Sequence, residues 1–270
     1  MSLRTIGIIA TLLLGALVAL YAAGHFYGRS VIYHPTRVVV APTLSGVSAE
    51  RISTEDGETL MAWWLPPQQG QPVFLFFDGN GGRPEIHDGA DGRWARMAAH
   101  GAGFLAVYYR GYSGSTGSPT EQGLRRDARA GYDWLVARGY AQSDIVIHGF
   151  SLGSAVAVQL AAEHPARALI LEAPMTGIDD IAAEHGAGLF APIMRDSFRS
   201  RDYIGRVRMP VLIVHGDADS VIPFAHGQRL YAQANEPRQF VLMPGSEHAT
   251  LPRDGLYEHI WTFLDQHPAH

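Results

Sequence analysis

The stretch Gly149-Phe150-Ser151-Leu152-Gly153 limits what this chain can fold into more than any other. It follows the apolar run Ile145-Val146-Ile147 and leads into a helix-like segment, Ser154 to Glu163. A serine with glycine two places before and two places after, set between a strand and a helix, is the pattern of a nucleophile elbow. Strand and helix approach so closely there that the flanking positions must be small. The serine is held above the sheet edge, where the helix dipole favours developing negative charge. The rest of the chain alternates strand-like and helix-like segments, the pattern of a mostly parallel sheet covered on both faces.

A serine hydroxyl is a weak nucleophile at neutral pH and needs partners. A histidine takes its proton, and a carboxylate sets the imidazole tautomer and stabilises the imidazolium. The apolar run Pro210 to Val214 opens into His215-Gly216-Asp217-Ala218-Asp219-Ser220, and Gln239 to Met243 ends in Pro244-Gly245-Ser246-Glu247-His248. Both segments lie just past a strand's carboxyl end, where open α/β sheets place their sites, and serine, acid and histidine follow in that chain order. His248 is therefore the candidate base, in a chain with thirteen histidines. His215 is its rival, although it lies at the strand end and precedes the acid. Asp219 is favoured as the acid over Asp217 and over Glu172, which ends the run Ala168-Leu169-Ile170-Leu171.

Acyl transfer also needs an oxyanion hole. The backbone N–H after the nucleophile, Leu152, supplies one donor, and a loop after an earlier strand supplies the second. The strand Val73 to Phe77 runs into Asp78-Gly79-Asn80-Gly81-Gly82, which makes the Asn80 N–H the candidate. A phosphate loop is the rival reading of these glycines. It fails because no lysine followed by Ser or Thr comes after them and no G-x-G-x-x-G fits.

These residues resemble the Bem46-like branch of the α/β-hydrolases, with its membrane-anchored serine hydrolases, from about Val31 to Leu251. The resemblance rests on Val31-Ile32-Tyr33-His34-Pro35-Thr36-Arg37, on the segment Tyr108 to Glu121, and on His215, Gly216, Asp219, Ile222 and Pro223. It implies an α/β-hydrolase fold with the triad acid on Asp219. The family's H-G-N loop falls on Asp78-Gly79-Asn80, so aspartate replaces histidine beside the oxyanion hole. An ionised carboxylate there would oppose the tetrahedral intermediate, so Asp78 must be paired, turned away or protonated. Arg83 and Arg110, in neighbouring loops, are the cations expected to pair with it.

Local signals fill in the frame. Ala49 to Thr54 and Leu60 to Leu65 flank Asp56-Gly57 and predict an antiparallel opening hairpin. Phe104 to Tyr109 is a buried strand. The helix after it should start at the capping box Ser118-Pro119-Thr120-Glu121, with proline at the first helical position. Its inner stripe is Leu124, Ala128, Gly131 and Leu135, closed by Gly139. Leu152, Val156 and Leu160 predict one apolar face behind Ser151, and Tyr257, Ile260, Trp261 and Leu264 the inner face of the last helix.

Two segments stand outside this alternation. From Thr5 to Gly24 no residue is charged, and as a helix these positions span about 30 Å, the thickness of a bilayer core. Residues 1–28 are thus expected to form a membrane anchor, and 29–270 the catalytic domain. A cleaved signal peptide ending at Ala22-Ala23-Gly24 is the alternative, although the run is long for one. Arg4 lies on one side of the run and Arg29 and Arg37 on the other; the short amino-terminal flank and the resemblance place the catalytic domain outside the cytoplasm. The second segment is the connection between Glu172 and Val211, about thirty-eight residues, well beyond an ordinary loop. Its apolar residues Ile178, Ile181, Leu189, Phe190, Ile193, Met194 and Phe198 suggest a small cap over the serine at about 175–205, against the plainer reading of a crossover helix and loop.

Composition excludes other classes. A net charge of −5 and the absence of a dense Lys/Arg run argue against a nucleic-acid surface. With no cysteine, disulfides, thiolate metal sites and thiol nucleophiles are ruled out. No His/Asp/Glu cluster has metal-site spacing, so neither metal nor cofactor is expected. The expected chemistry is hydrolysis of a small-molecule or lipid-like ester or thioester through a Ser151 acyl-enzyme. A peptidase or amidase on the same triad, or a binding protein on a hydrolase scaffold, are the alternatives.

Overall fold

A computed structural model describes residues 2–186, 188 and 194–269, with the side chains at 16, 17, 19, 20 and 22–28 outside the description. After the helix α1 (Leu3–Ile32), the strands β1 (Ser48–Ser53) and β2 (Thr59–Leu65) form the expected antiparallel hairpin, with Ser53 opposite Thr59. The remaining strands are β3 (Val73–Phe77), β4 (Gly103–Val107), β5 (Ile145–Phe150), β6 (Ala168–Glu172), β7 (Val211–Gly216) and β8 (Arg238–Met243). They form one eight-stranded sheet in the order β1-β2-β4-β3-β5-β6-β7-β8. All pairings from β4 onward along that order are parallel.

Alternate strand residues feed two separate cores. Leu75, Phe77, Leu105 and Ile147 pack with residues of α3 (Glu121–Ala137), α4 (Leu152–Ala161) and α6 (Ala225–Gln233). Phe74, Phe76, Phe104 and Val146 pack with residues of α2 (Arg93–Ala99) and α7 (Leu256–Gln266) on the other face. Helices on both faces leave β3 to β7 no polar side, which is why these strands read as continuous apolar runs. The result is a mostly parallel α/β sheet of the kind the sequence indicates.

Three expectations change in detail. The helix behind Ser151 was read as having one apolar face, yet all ten residues of α4 are buried. It packs against α3 as well as β3, β5 and β6, so its outer side is covered too. Trp261, expected on the inner face of α7, is only partly buried. The start of α3 also moves. Thr120 is the N-cap, its hydroxyl accepting from the Gly123 N–H at 2.9 Å, which leaves Pro119 outside the helix. Glu121 does not close a capping box. Its carboxylate accepts from the N–H groups of Ser197 and Phe198 at 2.8 and 3.0 Å and from the Gln159 amide at 2.8 Å. It ties the return arm of the long connection to the body of the domain.

That connection contains α5 (Ile178–Glu184) and short 3-10 turns at Ser200–Asp202 and Ile204–Arg206. Phe198 and Ile204 are fully buried, so its return arm is packed crossover. Leu189, Phe190 and Ile193, named above as cap residues, lie outside the described residues.

Helix α1 is thirty residues long, and its last turn is anchored to the domain. Arg29 pairs with Asp196 at 2.9 Å, and Ile32 and Tyr33 are buried in the core. Among the described residues no helix is long and apolar enough to cross a membrane, so the anchor expected over 1–28 has no support from the structure. That expectation falls in part on positions 16, 17, 19, 20 and 22–28, whose side chains are not described.

Candidate active site

Ser151 sits between β5 and α4 with φ 53° and ψ −120°, a conformation that costs a non-glycine residue free energy. The strain persists because its surroundings leave no room to relax. A Cβ on Gly153 would lie 2.0 Å from the Phe77 carbonyl oxygen, and one on Gly149 would lie 2.3 Å from the Gly153 oxygen. The Ser151 N–H donates to the Glu172 carbonyl at 3.0 Å, locking the turn to the neighbouring strand. The hydroxyl is thus presented at the carboxyl edge of the sheet by backbone geometry alone.

The loops after β7 and β8 bring Asp219 and His248 to it. His248 Nε2 is 2.9 Å from Ser151 Oγ, and His248 Nδ1 is 2.7 Å from Asp219 Oδ2. An ionised carboxylate only accepts, so His248 donates from Nδ1 and its Nε2 is free to accept the serine proton. Burial opposes ionisation of Asp219. Hydrogen bonds from His215 and His248, the His248 charge and the Ile222 N–H outweigh it and hold the carboxyl well below the usual range. Its other oxygen accepts from the Val221 and Ile222 N–H groups at 2.9 and 2.8 Å, so the carboxylate cannot rotate away from His248.

The rival residues are committed elsewhere. His215 is fully buried, with Nε2 2.8 Å from the Ile222 carbonyl and 3.3 Å from Asp219. A carbonyl accepts only, so that nitrogen carries a proton and His215 steadies the acid from behind. Asp217 accepts from the Gly245 N–H at 2.6 Å and joins the two loops. Glu172 is fully buried under a two-pronged bond from Arg93, at 2.8 and 3.1 Å. Arg93 also donates to the Tyr257 hydroxyl at 3.2 Å, which closes that end of the sheet.

The candidate oxyanion loop follows β3. A Cβ on Gly79 would lie 3.4 Å from Ser151 Cβ, which places the loop directly against Ser151. The Asn80 carbonyl accepts from the Tyr112 hydroxyl at 2.6 Å and from the His34 N–H at 3.3 Å, so the peptide is held from its outer side. Leu152, as the first residue of α4, has an N–H with no acceptor inside the helix.

Asp78 departs from expectation in its partner. Arg110 is bonded to Asp56 and Asp127, and Arg83 makes no ion pair with Asp78 among the described residues. Instead Asp78 Oδ2 lies 3.0 Å from His87 Nε2, and Oδ1 accepts from the Gly79 N–H at 2.8 Å. His87 stands nine residues further on, in the 3-10 turn Pro84–His87, and no periodic pattern in the sequence marks it. Burial opposes ionisation of Asp78, but the charge and hydrogen bond of His87, the Gly79 N–H and the more distant Arg93 outweigh it and lower its pKa.

Among the described residues no group of three or more His, Cys, Asp or Glu could hold a metal ion. A cavity of about 260 Å³ lined by Ile52, Glu55, Arg126, Arg129 and Trp134 contains none of the triad residues.

Comparison with known proteins agrees with this architecture. The Hydrolase_4 family model, described as serine aminopeptidase S33, matches residues 90–203. The uncharacterized protein Rv2307c of Mycobacterium tuberculosis is 36% identical over 251 residues, covering 86% of each chain. Human alpha/beta hydrolase domain-containing protein 17B is 33% identical over 162 residues, 58% of this chain and 54% of that protein. Among solved structures, the Pyrococcus furiosus esterase Pf2001 superposes with a TM-score of 0.71 at 20% identity, over 86% of this chain and 98% of that one. An alpha-beta hydrolase from Vibrio vulnificus gives 0.69 at 24% identity, over 82% of each.

Proposed function

This chain belongs to the Bem46-like branch of the α/β-hydrolases, and on that premise we propose that it is a serine hydrolase of carboxylic esters or thioesters. The observation that carries the reading is the unbroken chain Asp219–His248–Ser151, at 2.7 and 2.9 Å, ending on a strained serine. His248 Nε2 takes the hydroxyl proton as Ser151 Oγ attacks the acyl carbon. Asp219 stabilises the imidazolium that forms. The Asn80 and Leu152 N–H groups receive the oxyanion. As the intermediate collapses, His248 returns the proton to the leaving alcohol or thiol. A water activated by the same histidine then releases the acid from Ser151.

The family description favours a second reading, an aminopeptidase. Such an enzyme needs a free acidic group for its substrate's amino terminus. Asp78 is paired with His87 and Glu172 is sealed under Arg93, so neither of these two buried carboxylates is available. Esters and thioesters remain the better fit.

The uncharged run of the sequence from Thr5 to Gly24 favours a membrane-anchored form, and the family resemblance favours a catalytic domain outside the cytoplasm. The last turn of α1 leads into His34, whose N–H donates to the Asn80 carbonyl, so this helix joins the domain beside the loop after β3. Deleting residues 1–27 should release a soluble, active domain that keeps Arg29, and a reporter fused after His270 reads the orientation.

The test of function is a profile across p-nitrophenyl esters of increasing acyl length beside aminoacyl p-nitroanilides. Ester turnover lost in Ser151→Ala supports the reading. Preferred anilide turnover overturns it in favour of the peptidase.

A further inference from the structure

The family's histidine beside the oxyanion hole is missing from position 78, yet a histidine ring is present there from another part of the chain. Asp78 is buried, and its carboxylate lies at the root of the loop that carries Asn80. Its backbone carbonyl oxygen would lie 2.5 Å from a Cβ on Gly153, so it packs under the first turn of α4. Its Oδ1 accepts from the Gly79 N–H at 2.8 Å, one residue before Asn80, and Gly79 lies against Ser151, so a charge here acts on the loop with little screening by water. Such a charge would raise the barrier of every step through a tetrahedral intermediate.

The side chains around it leave one partner. The Tyr109 hydroxyl donates to the Asp78 backbone carbonyl at 2.8 Å, not to the carboxylate. Tyr112 donates to the Asn80 carbonyl, and Glu85 accepts from Tyr108 at 2.9 Å. Arg93 is committed to Glu172, and buried His148 lies 3.3 Å from that same glutamate. Among the described residues, His87 alone brings a basic side chain within ion-pair distance of the Asp78 carboxylate. Its ring is wedged edge-on between Phe76 and Trp94, with centroids 5.7 and 5.6 Å away, so its direction is set by packing.

We propose that His87 is the charge-balancing residue of the oxyanion loop: paired with Asp78, it cancels the carboxylate's field where the intermediate's oxygen becomes negative. The inference rests on the serine-hydrolase reading of the site. His87 touches neither substrate nor triad and acts through Asp78. The two residues together replace the single histidine that the resemblance places at position 78.

A mutant cycle on the full-length chain tests this, read as kcat and KM on p-nitrophenyl butyrate, with melting temperature as the check on folding. Glutamine can place an amide nitrogen near His87 Nε2, keeping the hydrogen bond without the charge, whereas alanine removes both. His87→Gln and His87→Ala should each lower kcat by at least about tenfold with KM within about twofold, since the ground-state ester carries no charge. Asp78→Asn alone should change kcat less than about tenfold, and adding it to either His87 variant should restore most of the loss. If His87→Ala does not fold, the glutamine arm still decides. A purely structural role gives the opposite pattern: His87→Gln near wild type, and double variants no better than the single ones. That result overturns the inference alone. Wild-type protein that hydrolyses no ester overturns the serine-hydrolase reading and this inference with it.

Discussion

Two carboxylates stand at the carboxyl ends of neighbouring strands, Glu172 on β6 and Asp219 just past β7. Both are buried, both lie near a histidine, and both are held below their usual pKa. Only one belongs to the hydrogen-bond chain that reaches the serine. Glu172 spends its acceptors on Arg93, and nearby His148 has no hydrogen-bonded partner at either ring nitrogen among the described residues. Asp219 spends one oxygen on two backbone N–H groups and turns the other to His248, whose far nitrogen reaches Ser151. On the proposed mechanism, a carboxylate at a strand end is a structural clamp or a catalytic acid according to whether its partner is sealed in the core or faces Ser151.

The largest effect that can break this comparison is at the acid. Asp219→Asn keeps an oxygen for the Val221 and Ile222 N–H groups, so the loop should stay folded. The tautomer of His248 should be wrong, and kcat should fall by about 10⁴. Asp217→Asn, which weakens only a loop contact, should cost less than about tenfold. Steady-state kinetics on one ester compares them, and equal losses would erase the distinction between the two aspartates.

Glu172 should respond in stability instead. Arg93→Met strands a buried carboxylate and should cost about 3–5 kcal/mol in denaturant unfolding. Activity per folded molecule should suffer far less than in Asp219→Asn. An Arg93→Met protein of wild-type stability would remove the clamp from the account.

A smaller effect sharpens the same point. Burial opposes ionisation of Glu172, but the charge and hydrogen bonds of Arg93, with His148 3.3 Å away, bring its pKa down from 4.5 to about 2. A carboxyl depressed in the folded state lends stability that is full above its unfolded pKa and lost as pH falls through the folded one. Between about pH 4.5 and 2, wild type should therefore lose stability more steeply than Glu172→Gln. Parallel acid-unfolding curves would count against the ion pair.

The comparison also explains what could be read without coordinates. The turn around Ser151, the loops that bring Asp219 and His248 to it and the central strands are legible because each leaves a local mark: glycines at fixed offsets around Ser151, or continuous apolar runs ending in polar loops. Pairings between single polar residues far apart leave no such mark. Nothing periodic joins Arg93 to Glu172, Glu121 to Ser197, or His87 to Asp78. The sequence points to arginines as the partners of Asp78, yet Arg110 is held by Asp56 and Asp127. The full burial of α4 was missed for a related reason. A helix's own periodicity reports the side facing the sheet, but not a second helix laid across its back.

The central claim is that Ser151 is the nucleophile of this site. Treatment of the folded chain with a fluorophosphonate probe, followed by mass mapping of the modified peptide, tests it without knowledge of the substrate. The expected result is a single adduct on Ser151, absent in Ser151→Ala and strongly slowed in Asp219→Asn. An adduct on another residue, or no adduct on folded wild-type protein, would contradict the account.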